Sequence, residues 1–229
     1  MSESTSAAPQ PSQSVPSRRR VASSLAWAVP TVVAAAAAPA EAASPPPRID
    51  RSFLVTRGTQ AAVPGASVSP CASTLFTNPT RLSVTTDNVN TYYRIVNVQA
   101  GSTVTNVTAS VLVQKDMVDA METGRNPTTF TWTSSTPSWS TPTREVSGTT
   151  PAVYTYNGIQ YYRYVSRLLT PVPAPVSGTI TLPLIGWYSN CSTTLAGVSV
   201  NGRGSAVVNG KTLVNVGTYR QLVIPGSAG

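Results

Sequence analysis

The chain of 229 residues contains no histidine. That removes the side chain that most often moves protons near neutral pH. Ser-His-Asp and Cys-His catalysis go with it, as does every histidine-containing zinc site. Cysteine is nearly as scarce: Cys71 and Cys191 are the only two, too far apart for a CxxC redox or metal motif. Charged residues make up 10% of the chain, and acids are fewer than bases, 8 against 16. Three of the cations, Arg18, Arg19 and Arg20, are adjacent; from Ala43 onward 13 Lys and Arg face 6 Asp and Glu, a balance of about +7. Those later cations are scattered and build no basic run, whereas a nucleic-acid reader concentrates its charge on one element. No nucleic acid is expected as a partner, and no cofactor is implied. An excess of this kind supplies weak, unspecific attraction to an anionic envelope polymer.

What is present is a β-branched, weakly charged composition that favours strands. Short apolar runs recur between turn signals, at 52–57, 82–86, 91–98, 104–114, 128–133, 152–156, 159–168, 178–188, 197–200, 206–208, 211–214 and 218–224. The spacing predicts one all-β sandwich over 51–229, Ig-like or a related antiparallel arrangement. Asn157-Gly158 and Asn209-Gly210 each separate two such runs and predict two-residue hairpin turns, because both positions tolerate left-handed backbone angles. Asn201-Gly202-Arg203-Gly204 predicts a third, longer turn. One stretch breaks the pattern: over 116–123, Met117, Val118 and Met121 share a helical face, with Gly124 as a stop. The single short helix expected there would carry Asp116, Asp119 and Glu122 as solvated outer charges.

The first 42 residues read as a leader. A polar, disordered extension precedes Ser17-Arg18-Arg19-Arg20-Val21; then 21–40 is uncharged and rich in Ala and Val, and Ala40-Glu41-Ala42 supplies a small-x-small cleavage pattern. Cleavage is expected after Ala42 or, as a second choice, after Ala43. The Pro run at 45–47 sits in a stiff spacer over 43–50. The arginine pair resembles the twin-arginine export motif, and the leader as a whole is similar to those of exported proteins from high-GC actinobacteria. Arg18, Arg19, Ala26, Trp27, Ala28, Pro30, Pro39, Ala40, Ala42 and Ala43 carry that likeness. The resemblance implies a protein secreted or held in the cell envelope; it implies no activity. An uncleaved leader is the only route by which this chain would meet a membrane, and Pro30 and Pro39 argue against a permanent anchor.

Export into an oxidising compartment makes a Cys71–Cys191 disulfide the expected state. Closing so long a loop contributes roughly 4–5 kcal/mol by the chain-entropy estimate. The richest aromatic and basic cluster is Tyr161-Tyr162-Arg163-Tyr164 with Arg167. In a strand Tyr161, Arg163 and Arg167 share one side, where they could stack sugars or hold anionic groups. Trp139, in a loop of small polar residues and prolines, either caps the core or stands out as a binding anchor. The function expected is a non-catalytic structural or binding role, with an envelope glycan or another surface protein as partner. A glycan- or ligand-binding module is the first alternative, and a secreted carboxylate hydrolase the second.

Overall fold

A computed structural model describes residues 45–60, 63–75, 77–172, 175–176, 178–195, 199–215 and 222–223. The leader, with Arg18, Arg19, Ala42 and Ala43, lies outside the described residues. The strands in chain order are β1 (Arg48–Ser52), β2 (Leu54–Gly58), β3 (Arg81–Thr85), β4 (Tyr92–Val98), β5 (Val104–Gln114), β6 (Trp132–Ser134), β7 (Thr143–Arg144) and β8 (Val146–Ser147). They continue with β9 (Thr150–Pro151), β10 (Val153–Tyr156), β11 (Ile159–Arg167), β12 (Gly178–Thr181), β13 (Gly186–Ser189), β14 (Ser199–Val208), β15 (Lys211–Val214) and β16 (Leu222–Val223). Among the described residues one helix, α1 (Lys115–Thr123), follows β5 without a break. The result is an all-β, sandwich-like fold built from antiparallel sheets.

The largest sheet runs β10-β11-β5-β14-β15, with β7 beside β11 and β16 beside β14. A four-stranded sheet runs β2-β3-β13-β6, and a three-stranded one β1-β4-β12. β1 begins inside the stretch expected to be spacer, pairing Arg48 with Val96 and Asp50 with Arg94. Only Phe53 separates β1 from β2, and the chain changes sheets there. Its ring is buried and meets Tyr93 edge-on at 5.8 Å. Tyr93 stacks on Trp139 at 5.9 Å, and Trp139 meets Trp187 of β13 edge-on at 6.5 Å. This aromatic chain ties the three main sheets into one core, in which Leu82, Val84, Ile95, Val111 and Ile185 are also buried.

Both Asn-Gly hairpins form as expected. Asn157 and Gly158 have φ of 48° and 77°, and Asn209 and Gly210 have 49° and 77°. They set the registers Tyr156↔Ile159 and Val208↔Lys211. The third expected turn does not form. Asn201-Gly202-Arg203-Gly204 lies within β14, paired along β5 from Asn201↔Leu112 to Gly204↔Ala109. The glycines serve a different purpose here. A Cβ on Gly202 would sit 2.2 Å from the Phe53 ring, and one on Gly204 would sit 2.6 Å from Tyr93. The rings need that room, and the Tyr93 hydroxyl then donates to the Thr108 carbonyl at 2.7 Å. The single strand expected over 178–188 is also divided, into β12 and β13, with Pro183 between them. Proline has no N–H to give a ladder.

Candidate functional site

β11 is the organising strand because its two faces do different work. Tyr162, paired with Val113, and Tyr164, paired with Val111, face inward with Gly202, which also pairs with Val111. On this side Tyr162 donates from its hydroxyl to Asp119 at 2.9 Å, and Lys115 pairs with the same carboxylate. Glu122 is gripped by Arg144, whose Nη1 donates at 3.0 Å, and accepts the Phe130 backbone N–H at 3.0 Å. Arg144 also donates from Nε to the Tyr164 hydroxyl at 3.0 Å and lies 4.7 Å from the Tyr162 ring centre. Burial pushes the Asp119 carboxyl up, but Lys115 and Tyr162 outweigh it and hold it below the ordinary carboxylate range. The expectation of three solvated charges on α1 is therefore corrected. Asp116 is exposed, while Asp119 and Glu122 are turned onto cations and phenols that brace the helix against β11 and β7.

Beside this brace is an open groove of about 530 Å³, with Glu122, Phe130, Trp132, Arg144 and Tyr164 among its lining residues. The three aromatic residues are no more than 4% exposed, so they underlie the groove and offer little ring face for stacking a sugar. Glu122 carries its counter-ion with it. The groove has shape without a free acid or base on this carboxylate.

The outward face of β11 carries Tyr161, Arg163 and Arg167. Arg163 pairs with Glu145 at 2.9 Å and lies 5.2 Å from the Tyr154 ring centre. Tyr154, set opposite Tyr161 by the hairpin register, donates its hydroxyl to the same Glu145. Arg203 joins this face from β14. Its neighbours Gly202 and Gly204 look inward at Phe53 and Tyr93, so Arg203 looks outward. Burial first, and then the nearby Arg163 charge, hold the Arg203 guanidinium below its ordinary value, while Tyr154 and Tyr156 oppose that shift. Arg163, Arg203 and Tyr154 thus share this face.

The individual residues divide clearly. Arg167 is exposed at the end of β11, and Arg163 is half-buried against Glu145. Tyr161 is 3% exposed, so it supports the face from within and presents little surface to a ligand. Trp139 is 2% exposed and donates from Nε1 to the Pro183 carbonyl at 3.1 Å. Its ring is held between Tyr93 and Trp187, so Trp139 belongs to the core and does not stand out as a binding anchor. Tyr154, Glu145 and Arg203 were missed from sequence. The Asn157-Gly158 turn could have found Tyr154, since it places that residue beside Tyr161. Arg203 was hidden by reading its glycines as a turn. No family model, curated protein or solved structure matches the chain.

Proposed function

We propose that this protein is an exported, non-catalytic domain of the cell envelope or cell exterior, and that it binds an anionic envelope glycan. The face formed by Tyr154, Arg163, Arg167 and Arg203 would make the contact. The observation that carries the reading is the strand register, which sets Arg163 and Arg167 of β11 and Arg203 of β14, two places away, on one face of the sheet. Glu145 already pairs with Arg163, and the guanidinium forks that share its face suit the carboxylate or phosphate groups of a polymer. The tyrosines beside them add amphipathic contact area. The disulfide and the leader's likeness to exported proteins support an extracytoplasmic site. Among the described residues no helix is long and apolar enough to cross a membrane. The non-catalytic part rests on the engaged state of the acids. Asp119, Glu122 and Glu145 each hold a cation, so none is placed as a poised proton carrier.

The test is binding of the mature protein to purified wall polysaccharides with and without carboxylate or phosphate groups. Binding should be confined to the charged polymers and should weaken with added salt. Arg167→Gln with Arg203→Gln should weaken it about ten-fold or more, while the melting temperature stays close to the parent's. Equal binding to neutral polymers, unaffected by these changes, would sink the assignment of this face. Turnover of any polymer that is lost on changing Asp119 or Glu122 would overturn the non-catalytic reading.

A further inference from the structure

Arg81 opens β3 and is only 8% exposed. Its Nη2 donates to the Cys191 sulfur at 2.8 Å and to the Ser69 carbonyl at 2.9 Å, while its Nε donates to the Cys71 sulfur at 3.3 Å. The Tyr188 ring centre lies 5.7 Å from the guanidinium carbon. Among the described residues no carboxylate pairs with Arg81. A buried guanidinium is thus aimed at both sulfurs of the Cys71–Cys191 bond. Neutral disulfide sulfur is a weak acceptor and gains little from such donors. A thiolate in the same place carries a full charge and gains far more. The arrangement favours the opened bond more than the closed one.

The two sulfurs also differ in access and support. Cys71 is 4% exposed, whereas Cys191 is half-buried. Thr80 and Ser192 exchange reciprocal backbone hydrogen bonds at 2.9 and 2.8 Å, and they are the chain neighbours of Arg81 and Cys191. Arg81 and Cys191 therefore stay in register when the sulfur bond opens. The other side lies in the connection between β2 and β3, where the Cys71 N–H donates to the Thr59 carbonyl at 2.7 Å.

We propose that Cys191 is a thiol-exchange site for a low-molecular-weight thiol, with Arg81 as its positioning and charge-stabilising residue. The thiolate of the small molecule attacks the Cys191 sulfur and forms a new S–S bond there. The Cys191–Cys71 bond breaks, and its electron pair leaves with Cys71 as a thiolate beside Arg81 Nε. A second thiolate attacks the small-molecule sulfur of this mixed disulfide and releases Cys191 as a thiolate beside Nη2. The two small thiols leave joined as their own disulfide, and the protein has gained two electrons.

Two measurements on the whole chain test this. Native protein is incubated with reduced glutathione at neutral pH, quenched with acid and mapped by mass spectrometry. The first adduct should lie on Cys191; a first adduct on Cys71, or none without denaturant, overturns the proposal. Reduced protein is then alkylated across pH 5.5–9. At pH 6.5 Cys191 should react at least about ten-fold faster than in the same protein unfolded in urea, where an ordinary thiol titrates near 8.5. Arg81→Met should remove that advantage and Arg81→Lys should keep part of it. Should Arg81→Met fail to fold, the comparison of native with unfolded parent decides alone. Identical pH profiles in those two states would overturn the proposal.

Discussion

Three Asn-Gly pairs occur in this chain, and they meet two fates. Asn157-Gly158 and Asn209-Gly210 turn the chain through tight hairpins, both residues having positive φ. Asn201-Gly202 does not turn at all and continues β14 past the rings of Phe53 and Tyr93. The dipeptide is the same, so local propensity cannot separate them. The turn-forming pairs use glycine for its backbone angle. The strand-borne pair uses it for its missing side chain, because another layer of the structure passes too close for a Cβ.

This contrast is sharpest under substitution by alanine. Gly202→Ala should have the largest effect, because its new Cβ would meet ring carbon at 2.2 Å with a second layer behind it. Overpacking of this kind costs about 2–3 kcal/mol, read as a lower denaturation midpoint. Adding Phe53→Leu should recover part of that loss, a coupling that a purely backbone cost would not show. Gly158→Ala meets nothing within 4 Å, and only its φ of 77° opposes the change. Its expected cost is about 1 kcal/mol, with no rescue from any neighbour. If Gly202→Ala proved as mild as Gly158→Ala, the close-approach account of β14 would fail.

A smaller effect concerns a tight turn held by a charge. Between β3 and β4, the Asp87 carboxylate accepts the backbone N–H groups of Val89, Asn90 and Thr91 at 2.8 to 2.9 Å. The Thr91 and Val89 hydrogen bonds are the chief causes that lower its pKa to about 2. The unfolded chain, with an ordinary value near 3.9, binds more protons between those limits. This contribution to stability is therefore fully present above about pH 4 and is lost as pH falls through about 2. Melting curves from pH 5 to 2 should show a slope that Asp87→Asn reduces. The Asn-Gly hairpins themselves supply no such dependence, so an unchanged slope would show that Asp87 does not hold its turn by charge.

The candidate face was only half legible. Tyr161, Arg163 and Arg167 follow from strand alternation along β11, and the hairpin register adds Tyr154 without further information. Arg203 could not be found that way, since its place depends on β14 crossing beside β5. Trp139 was ambiguous for the same reason. A Trp among small polar residues is a plausible anchor until Tyr93 and Trp187 are known to enclose it. On α1, the i, i+3 spacing of Asp116, Asp119 and Glu122 resembles an ordinary solvated face. Only the approach of Tyr162 and Arg144 turns two of them inward.

By itself the sequence determined the strand-rich class, both tight hairpins, the short helix and the exclusion of histidine chemistry. Each of these depends on residue type and near-neighbour spacing, which act over one turn or one hairpin. Tertiary structure alone decided that Asn201–Gly204 stays extended, that Trp139 is core, that two helix acids are braces and that Arg81 lies against both sulfurs. The reason is common to all four. Each outcome depends on a partner far along the chain, and whether a side chain finds room, a counter-charge or a sulfur there is settled only when the sheets close on one another.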